Sequence, residues 1–391
     1  MNRPLTGLRV LEFTHAVLGP TTGLILSDLG AEVIRVEPVP GGDPTRTLQG
    51  FGLGYFPFFN RNKKSIGVNL KDARGRDLIT HLLHATDILI ENYAPGTMER
   101  LHLGYDELAP HFPRLIYCQL KGFLPGPYQS RTALDEVVQM MSGLAYMTGP
   151  VGQPLRAGAS VIDVTTGMMG AMAILVALRE RDSTDQGQLV RSALFETAAF
   201  LMGHHLAYAA VTQEPVPPMP ARVSAWAIYH QFETNEGQRV FIGVTSDKQW
   251  EKFCHTFDRT DWFHDPRLKT NNDRITERAW FLPAVREMVA AYSLAEVLRR
   301  CEQAELPFSP IAHPEDLFTD EQLHQGGSLI PTTLTNGDQT VLPALPFRLA
   351  SFDVPENATL PSYAEHTEAI LRELGYTPEA IQALRDTQTI A

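Results

Sequence analysis

Five short apolar segments separated by helical patterns most constrain what the first 123 residues can fold into. They are residues 7–13, 31–37, 65–70, 87–93 and 114–123, and amphipathic or apolar helical patterns lie at 20–29 and 72–86 between them. A strand, a short helix and a second strand form a βαβ unit, which requires parallel pairing. The alternation predicts an open α/β sheet of parallel strands.

The turn after the first segment is the place where a dinucleotide fingerprint would lie. It reads GPTTG at 19–23 and not GxGxxG, so the sequence does not encode the close backbone approach to a pyrophosphate. The segments 14–19, 92–96 and 121–126 each follow a predicted strand. Ligands of open α/β sheets bind beyond the carboxyl ends of the strands, so we expect these three segments to converge on one crevice.

Composition excludes several classes of partner. With a formal net charge of −12, the chain is not expected to bind nucleic acid or an anionic membrane. An anionic ligand must therefore be held by local basic residues. Arg61, Lys63 and Lys64 stand just before the third strand, and they form either a solvated strand entrance or a phosphate contact.

The three cysteines are isolated, and no Cys/His spacing indicates a zinc site, so we expect neither a disulfide nor a metal. We find no secretory signal pattern at the N-terminus and no apolar run near the ~20 residues of a membrane span. These observations predict a cytoplasmic protein without a membrane segment.

Four prolines within residues 215–220 mark a boundary between domains. We predict a large domain over 1–211, a linker over 212–223 and a smaller α+β domain over 224–320. Residues 321–391 are expected to form a return linker and the C-terminal part of the large domain.

One carboxylate stands at the head of a nearly all-apolar helical run. Asp163 follows the short apolar segment 159–162 and precedes a run to about Leu178 that includes Gly167 and Gly170. A helix that is apolar on every face is normally buried. Asp163 is then either the N-cap of this helix, a position where Asp is favoured, or a reactive group.

Several of these segments, taken in order, resemble one known family. The matching text includes GLRVLEFTHAVLGP at 7–20, NRNKKSI at 60–66, DILIENYAPGTMER at 87–100 and PLRAG with the aspartate and AILVALRERDSTDQGQLV at 154–190. The sequence is similar to the class III CoA-transferases of the CaiB/BaiF type, the formyl-CoA and carnitine CoA-transferase group. The resemblance covers nearly the whole chain.

The resemblance implies a Rossmann-like large domain built from both chain ends, a small domain between them, and an interlocked homodimer. It places the family's nucleophilic aspartate on Asp163. It implies no cofactor or metal beyond coenzyme A, which enters as the thioester substrate with a carboxylic acid as acceptor. The implied CoA contacts are Ala16, Val17, Leu18, Val68, Asn69, Asn92, Tyr93, Arg100, Arg131 and Asp135. Some of Arg46, Lys63, Lys64, Arg100 and Arg131 are expected to meet the CoA phosphates.

The implied reaction is CoA transfer through an aspartyl anhydride and an aspartyl-CoA thioester at Asp163. Two alternatives stay open: an α-methylacyl-CoA racemase and a CoA-binding protein without turnover. The similar racemases carry a histidine where this chain has Leu134, and racemisation needs two opposed proton carriers, which favours the transferase. A glutamine found in some relatives is Val17 here, and no glycine-rich run occurs at 224–320. Backbone N–H groups would then have to hold the thioester oxygen.

Overall fold

The computed structural model describes residues 3–221, 224–350, 352 and 355–391. Residues 222 and 223 of the predicted linker, and 351, 353 and 354 of the C-terminal segment, lie outside the described residues. The chain divides into two units, one made of residues 1–220 and 321–391 and the other of Ala221–Asp320. We call them the large unit and the small unit.

The described residues contain twelve strands in three sheets. They are β1 (Arg9–Phe13), β2 (Glu32–Glu37), β3 (Lys64–Gly67), β4 (Ile88–Glu91), β5 (Ile116–Lys121), β6 (Leu189–Ala193), β7 (Tyr229–Glu233), β8 (Arg239–Gly243), β9 (Phe308–Pro310), β10 (Leu329–Thr333), β11 (Gln339–Pro343) and β12 (Ala358–Thr359).

Eighteen α-helices accompany the strands within the described ranges. They are α1 (Leu18–Asp28), α2 (Tyr55–Phe59), α3 (Ala73–Leu83), α4 (Thr97–Arg100), α5 (Tyr105–Leu108), α6 (Asp135–Met141), α7 (Leu144–Thr148), α8 (Val161–Thr184), α9 (Leu194–Leu201), α10 (Gly203–Thr212), α11 (Asp247–Thr256), α12 (Thr260–His264), α13 (Asn271–Thr276), α14 (Arg278–Val289), α15 (Leu294–Gln303), α16 (Glu321–Gln325), α17 (Thr367–Glu373) and α18 (Pro378–Asp386).

The large unit is built on a six-stranded sheet in the order β3-β2-β1-β4-β5-β6. All five strand pairs are parallel, which confirms the predicted open α/β sheet. This strand order is that of a doubly wound fold, and its direction reverses between β1 and β4. Ligands bind at such a switch point, so we expect the loops after β1 and β4 to form the ligand-binding site.

The sixth strand is a departure from the sequence prediction. The apolar pattern of 188–211 predicts one helix, whereas the structure has β6 followed by α9 and α10. β6 is five residues long and pairs with β5 from Leu189 to Ala193. The periodicity of a run of this length does not distinguish a buried strand from a buried helix. Here residues 189–193 form a strand because they pair with the open edge of β5.

Helix α8 packs against α1 because two glycines allow close approach. A Cβ on Gly167 would lie 2.7 Å from Thr21 Cβ, and one on Gly170 would lie 3.1 Å from Thr22 Oγ1. The Thr22 hydroxyl donates to the Gly167 carbonyl at 2.9 Å. These contacts hold the N-terminal half of α8, which carries Asp163, against α1.

Contrary to the expectation from sequence, α8 is long and apolar enough to cross a membrane, by length and composition only. In the structure it lies within the large unit, where Ile162, Ile174 and Leu178 join the buried cluster on one face of the sheet. Arg181, which is 5% exposed, donates to the Asp87 carboxylate at 3.0 Å. Packing and this ion pair account for the buried face of α8, whereas Met168, Met172 and Val176 lie on its exposed face.

The small unit has its own antiparallel sheet and core. Its strands are ordered β7-β8-β9, and Phe232, Trp250 and Phe281 lie in one buried cluster with the surrounding helices. Cys254 and Cys301 belong to that cluster, and Cys118 is buried in the large unit. All three cysteines are free thiols that act as small core residues.

Candidate active site

A cleft of about 370 Å³ opens in the large unit at the switch point between β1 and β4. Its walls come from the loop after β1, the segments after β4 and β5, the start of α6 and the start of α8. It brings together eight of the predicted site residues: Ala16, Val17, Leu18, Asn92, Tyr93, Arg131, Asp135 and Asp163. His15, Tyr55 and Lys121 also line it, and the sequence prediction did not include them as contacts.

Asp163 does not cap α8. The helix begins at Val161 with Ser160 as its N-cap, so Asp163 occupies the third helical position. The cap comes from Asp135, which is 28 residues away in sequence. Its Oδ2 accepts the N–H groups of Ile162 at 2.8 Å and Asp163 at 3.0 Å. Because a distant carboxylate satisfies these N–H groups, the Asp163 carboxyl is free for another role.

The environment of the Asp163 carboxyl disfavours its charge. Burial raises its pKa from 3.8 to about 7, and the charges of Asp135 and Glu136 act in the same direction. Within the described residues the carboxyl accepts no hydrogen bond. A carboxylate without donors and with a raised pKa is more basic than an ordinary aspartate, which is the property a nucleophile or a proton carrier needs.

The loop between β1 and α1 forms one wall of the cleft, at the point where α1 begins. Ala16 adopts a left-handed conformation with φ 61°, and Val17 is the N-cap of α1. Val17 and Leu18 line the cleft, and neither backbone N–H donates to a backbone acceptor within the described residues. Unpaired N–H groups at a helix start favour negative charge nearby.

Arg131 is the cation of this cleft that lacks a carboxylate partner among the described residues. Its guanidinium lies 4.8 Å from the centre of the Tyr128 ring. Lys121, in contrast, donates to Glu91 Oε2 at 2.6 Å and to the Tyr93 carbonyl at 2.7 Å. Arg131 is therefore the group that can pair with a phosphate or carboxylate of a ligand.

Three predicted CoA contacts lie outside this cleft. Val68 is 1% exposed and forms a bridge with Ile390, and the Asn69 N–H donates to the Thr389 carbonyl at 2.8 Å. Arg100 is exposed and donates to the Thr97 hydroxyl at 2.8 Å. Contacts between CoA and these residues stay predictions.

The phosphate contact predicted for Lys63 is wrong because its ammonium is buried in an ion pair, whereas Arg46 is paired but partly exposed, so its contact stays a prediction. Lys63 is 3% exposed, and its ammonium lies 2.8 Å from Glu12 Oε2. Arg46 donates to both carboxylate oxygens of Glu37, at 2.7 and 2.8 Å. Arg61 forms a similar buried pair with Asp28 at 2.6 Å.

Glu12 is the residue from which the burial of Lys63 could have been predicted. This carboxylate lies between the apolar residues Leu11 and Phe13 of β1, and a buried charge requires a partner of opposite charge elsewhere in the chain.

Nothing in residues 3–221, 224–350, 352 and 355–391 groups three or more His, Cys, Asp or Glu side chains closely enough for a metal ion. The titratable side chains that line the cleft are His15, Tyr55, Tyr93, Lys121, Arg131, Asp135, Glu136 and Asp163.

Comparison with known proteins identifies the family of the chain that forms this cleft. The model of CoA-transferase family III matches residues 5–367. The chain is 30% identical over 389 residues to a human protein named succinyl-CoA:glutarate CoA-transferase, covering 98% of this chain and 89% of the relative. It is 27% identical over 418 residues to formyl-CoA:oxalate CoA-transferase of Escherichia coli O157:H7, covering all of both chains.

Solved structures agree with the sequence comparison. A CaiB/BaiF family protein from Brucella suis superposes with a TM-score of 0.84 at 30% identity, covering 96% of this chain and 100% of that chain. Rv3272 from Mycobacterium tuberculosis superposes with a TM-score of 0.82 at 28% identity, covering 94% and 99%. The chain therefore belongs to CoA-transferase family III and is a CoA-transferase of that class.

Proposed function

We propose that this protein moves CoA from an acyl-CoA to a carboxylic acid, with Asp163 as the covalent nucleophile. The observation that carries the proposal is the state of the Asp163 carboxyl, which faces the cleft with no donor from the described residues and with its pKa raised to about 7. An ordinary structural aspartate would accept hydrogen bonds from the helix end, and here Asp135 accepts them instead.

The first half of the reaction exchanges the acyl group. An Asp163 oxygen attacks the thioester carbonyl carbon, the carbon–sulfur bond breaks, and CoA leaves as the thiolate from an acyl-aspartyl anhydride. The thiolate then attacks the Asp163 carbonyl of the anhydride. This step releases the donor acid as a carboxylate and leaves an aspartyl-CoA thioester.

The second half of the reaction repeats these steps in reverse order, with the acceptor acid in place of the donor acid. Its carboxylate attacks the aspartyl thioester, which forms a new anhydride and frees the thiolate again. Attack of the thiolate on the acceptor carbonyl produces the acceptor's CoA thioester and regenerates the Asp163 carboxylate. Each step conserves one activated acyl bond, so the scheme consumes no nucleotide. The N–H groups of Val17 and Leu18 support the oxyanions that form at each attack.

A racemase would need a second proton carrier opposite Asp163. The cleft wall presents Leu134 at the position where similar racemases carry histidine. Deuterium entering the α-carbon of a branched acyl-CoA, without change of acyl partner, would favour racemisation over transfer. A protein that only binds CoA would show neither reaction.

The test of the proposed function is a transfer assay with a panel of CoA thioesters and a panel of mono- and dicarboxylates. Wild-type protein should form the acceptor's CoA thioester, and Asp163→Asn should form none while it still binds CoA. The family relatives named above act on succinyl-CoA, glutarate, formyl-CoA and oxalate according to their names, which makes these compounds the first choices. Equal transfer by Asp163→Asn would refute the assignment.

We also propose that two copies of the chain associate. Apolar side chains are exposed on α8 and on α9–α10 of the large unit: Met168, Met172, Leu175, Val176, Phe200, Leu206, Tyr208 and Val211. Large apolar side chains exposed in this number on neighbouring helices are typical of an interface. Val176→Glu and Phe200→Glu should convert a dimer to a monomer in sedimentation experiments, and a wild-type monomer would refute the proposal. The interlocked arrangement and the cytoplasmic location stay predictions.

A further inference from the structure

The loop that carries the Val17 and Leu18 N–H groups needs support from outside itself. Ala16 has φ 61°, a left-handed conformation that residues with a Cβ rarely adopt. Such a conformation persists only where the surroundings hold it. The support must therefore come from groups that bind the backbone next to Ala16.

Asn92 supplies that support at His15. Its side-chain Oδ1 accepts the His15 N–H at 2.9 Å, and its Nδ2 donates to the His15 carbonyl at 2.9 Å. Its own backbone N–H donates to the Phe13 carbonyl at 3.2 Å. A side-chain amide can donate and accept at once, so Asn92 satisfies both backbone groups of the residue before Ala16.

Neighbouring contacts complete the support. A Cβ on Gly19 would lie 3.0 Å from Asn92 Cγ and 2.4 Å from Thr14 Cβ, so the first turn of α1 packs directly on Asn92. On the other side of the loop, Arg35 donates to the Thr14 carbonyl at 3.1 Å. The loop is therefore held from β4 by Asn92 and from β2 by Arg35.

We propose that Asn92 is a positioning residue of the active site, whose amide clamps His15 and so holds the Val17 and Leu18 N–H groups where the thioester oxygen becomes negative. This inference rests on the proposed function. It gives Asn92 a role different from the CoA contact that the family resemblance implies, because both functional groups of its amide are engaged with His15.

Kinetics of Asn92→Ala separate the two roles. A positioning residue that acts in the transition state lowers kcat, whereas loss of a substrate contact raises KM for the acyl-CoA. We expect kcat to fall by about 10- to 100-fold, since small misplacement of catalytic groups costs up to about 100-fold. KM for the acyl-CoA should stay within about twofold of wild type.

Asn271→Ala is the matched control. In the small unit the Asn271 amide also donates to one backbone group and accepts from another, at the Ala225 carbonyl (2.9 Å) and the Ala227 N–H (3.3 Å). Removing that amide should leave kcat unchanged. Asn92→Asp is the isosteric variant, in which a carboxylate oxygen would face the His15 carbonyl without a proton. It should lower kcat at pH 8 at least as much as Asn92→Ala.

Hydrogen–deuterium exchange of the full-length protein tests the clamp without activity. Amides of residues 15–18 should exchange faster in Asn92→Ala than in wild type. If wild type transfers no CoA, the proposed function fails, and the exchange result still decides whether the clamp exists. If wild type is active, an Asn92→Ala or Asn92→Asp variant that keeps its kcat, or unchanged exchange in residues 15–18, overturns the inference.

Discussion

Replacing Asp163 with asparagine should stabilise the protein while it removes activity. The folded state raises the Asp163 pKa to about 7, above its ordinary value of 3.8, because burial disfavours the charge and Asp135 and Glu136 repel it. The folded protein therefore binds this proton more tightly than the unfolded chain does. Stability from this group is fully present below about pH 4 and is lost as the pH rises through about 7.

The magnitude follows from the difference between the two pKa values. A change from 3.8 to about 7, at about 1.4 kcal/mol per pH unit, sets an upper limit of about 4 kcal/mol above pH 7. Water in the open cleft screens the carboxylate, so we expect roughly 1–3 kcal/mol. Asparagine has nearly the same shape and no charge, so Asp163→Asn should gain this amount at pH 8 and none at pH 4.

Urea unfolding of wild type and Asp163→Asn at pH 4, 6 and 8 measures the effect. Asp182→Asn, which removes a carboxylate from an exposed turn of the same helix, is the control for loss of one negative charge. The gain should grow with pH for Asp163→Asn only. An Asp163→Asn variant that is less stable than wild type at pH 8, or a gain in stability that does not depend on pH, would refute the conclusion that burial disfavours the Asp163 charge.

Three further predictions concern the pH dependence of transfer, a buried ion pair and the packing of α8. The kcat/KM of acyl transfer should rise as the pH increases through about 7, because Asp163 ionises there. Asp135→Asn removes a repelling charge and should move this rise to lower pH. A kcat/KM that does not depend on pH would contradict the prediction. Lys63→Met removes a buried partner of Glu12 and should lower the free energy of unfolding in urea by about 3–5 kcal/mol. Combining it with Glu12→Gln should reduce this loss. A loss below about 0.5 kcal/mol for Lys63→Met would show that the ion pair is dispensable. Gly167→Ala should lower the free energy of unfolding by about 1–3 kcal/mol, since its Cβ would lie 2.8 Å from the Leu18 carbonyl oxygen; calorimetry showing an unchanged midpoint would mean that α1 and α8 can separate freely.

The parallel sheet could be predicted because its strands are short apolar segments with helical patterns between them. β1, β2, β4 and β5 are each found inside a predicted segment. β6 could not be predicted, because its apolar pattern continues into α9 and only the free edge of β5 selects a strand.

Asp163 could be found from its position before an apolar helix, but its environment could not. The cap from Asp135 joins residues 28 positions apart, and local sequence does not report such a contact. The same limit applies to Lys63, whose partner Glu12 lies 51 positions earlier. The prediction of a phosphate contact failed for Lys63 because charge in a sequence does not show whether it is already paired.

The most direct test of the central claim is chemical trapping at Asp163. The protein is incubated with an acyl-CoA that supports transfer, quenched with hydroxylamine, digested and examined by mass spectrometry. An anhydride or thioester at Asp163 predicts a hydroxamate on that residue, formed only when the acyl-CoA is present and absent from Asp163→Asn. Measurable transfer with Asp163 unmodified, or a hydroxamate on another carboxylate, would contradict the account.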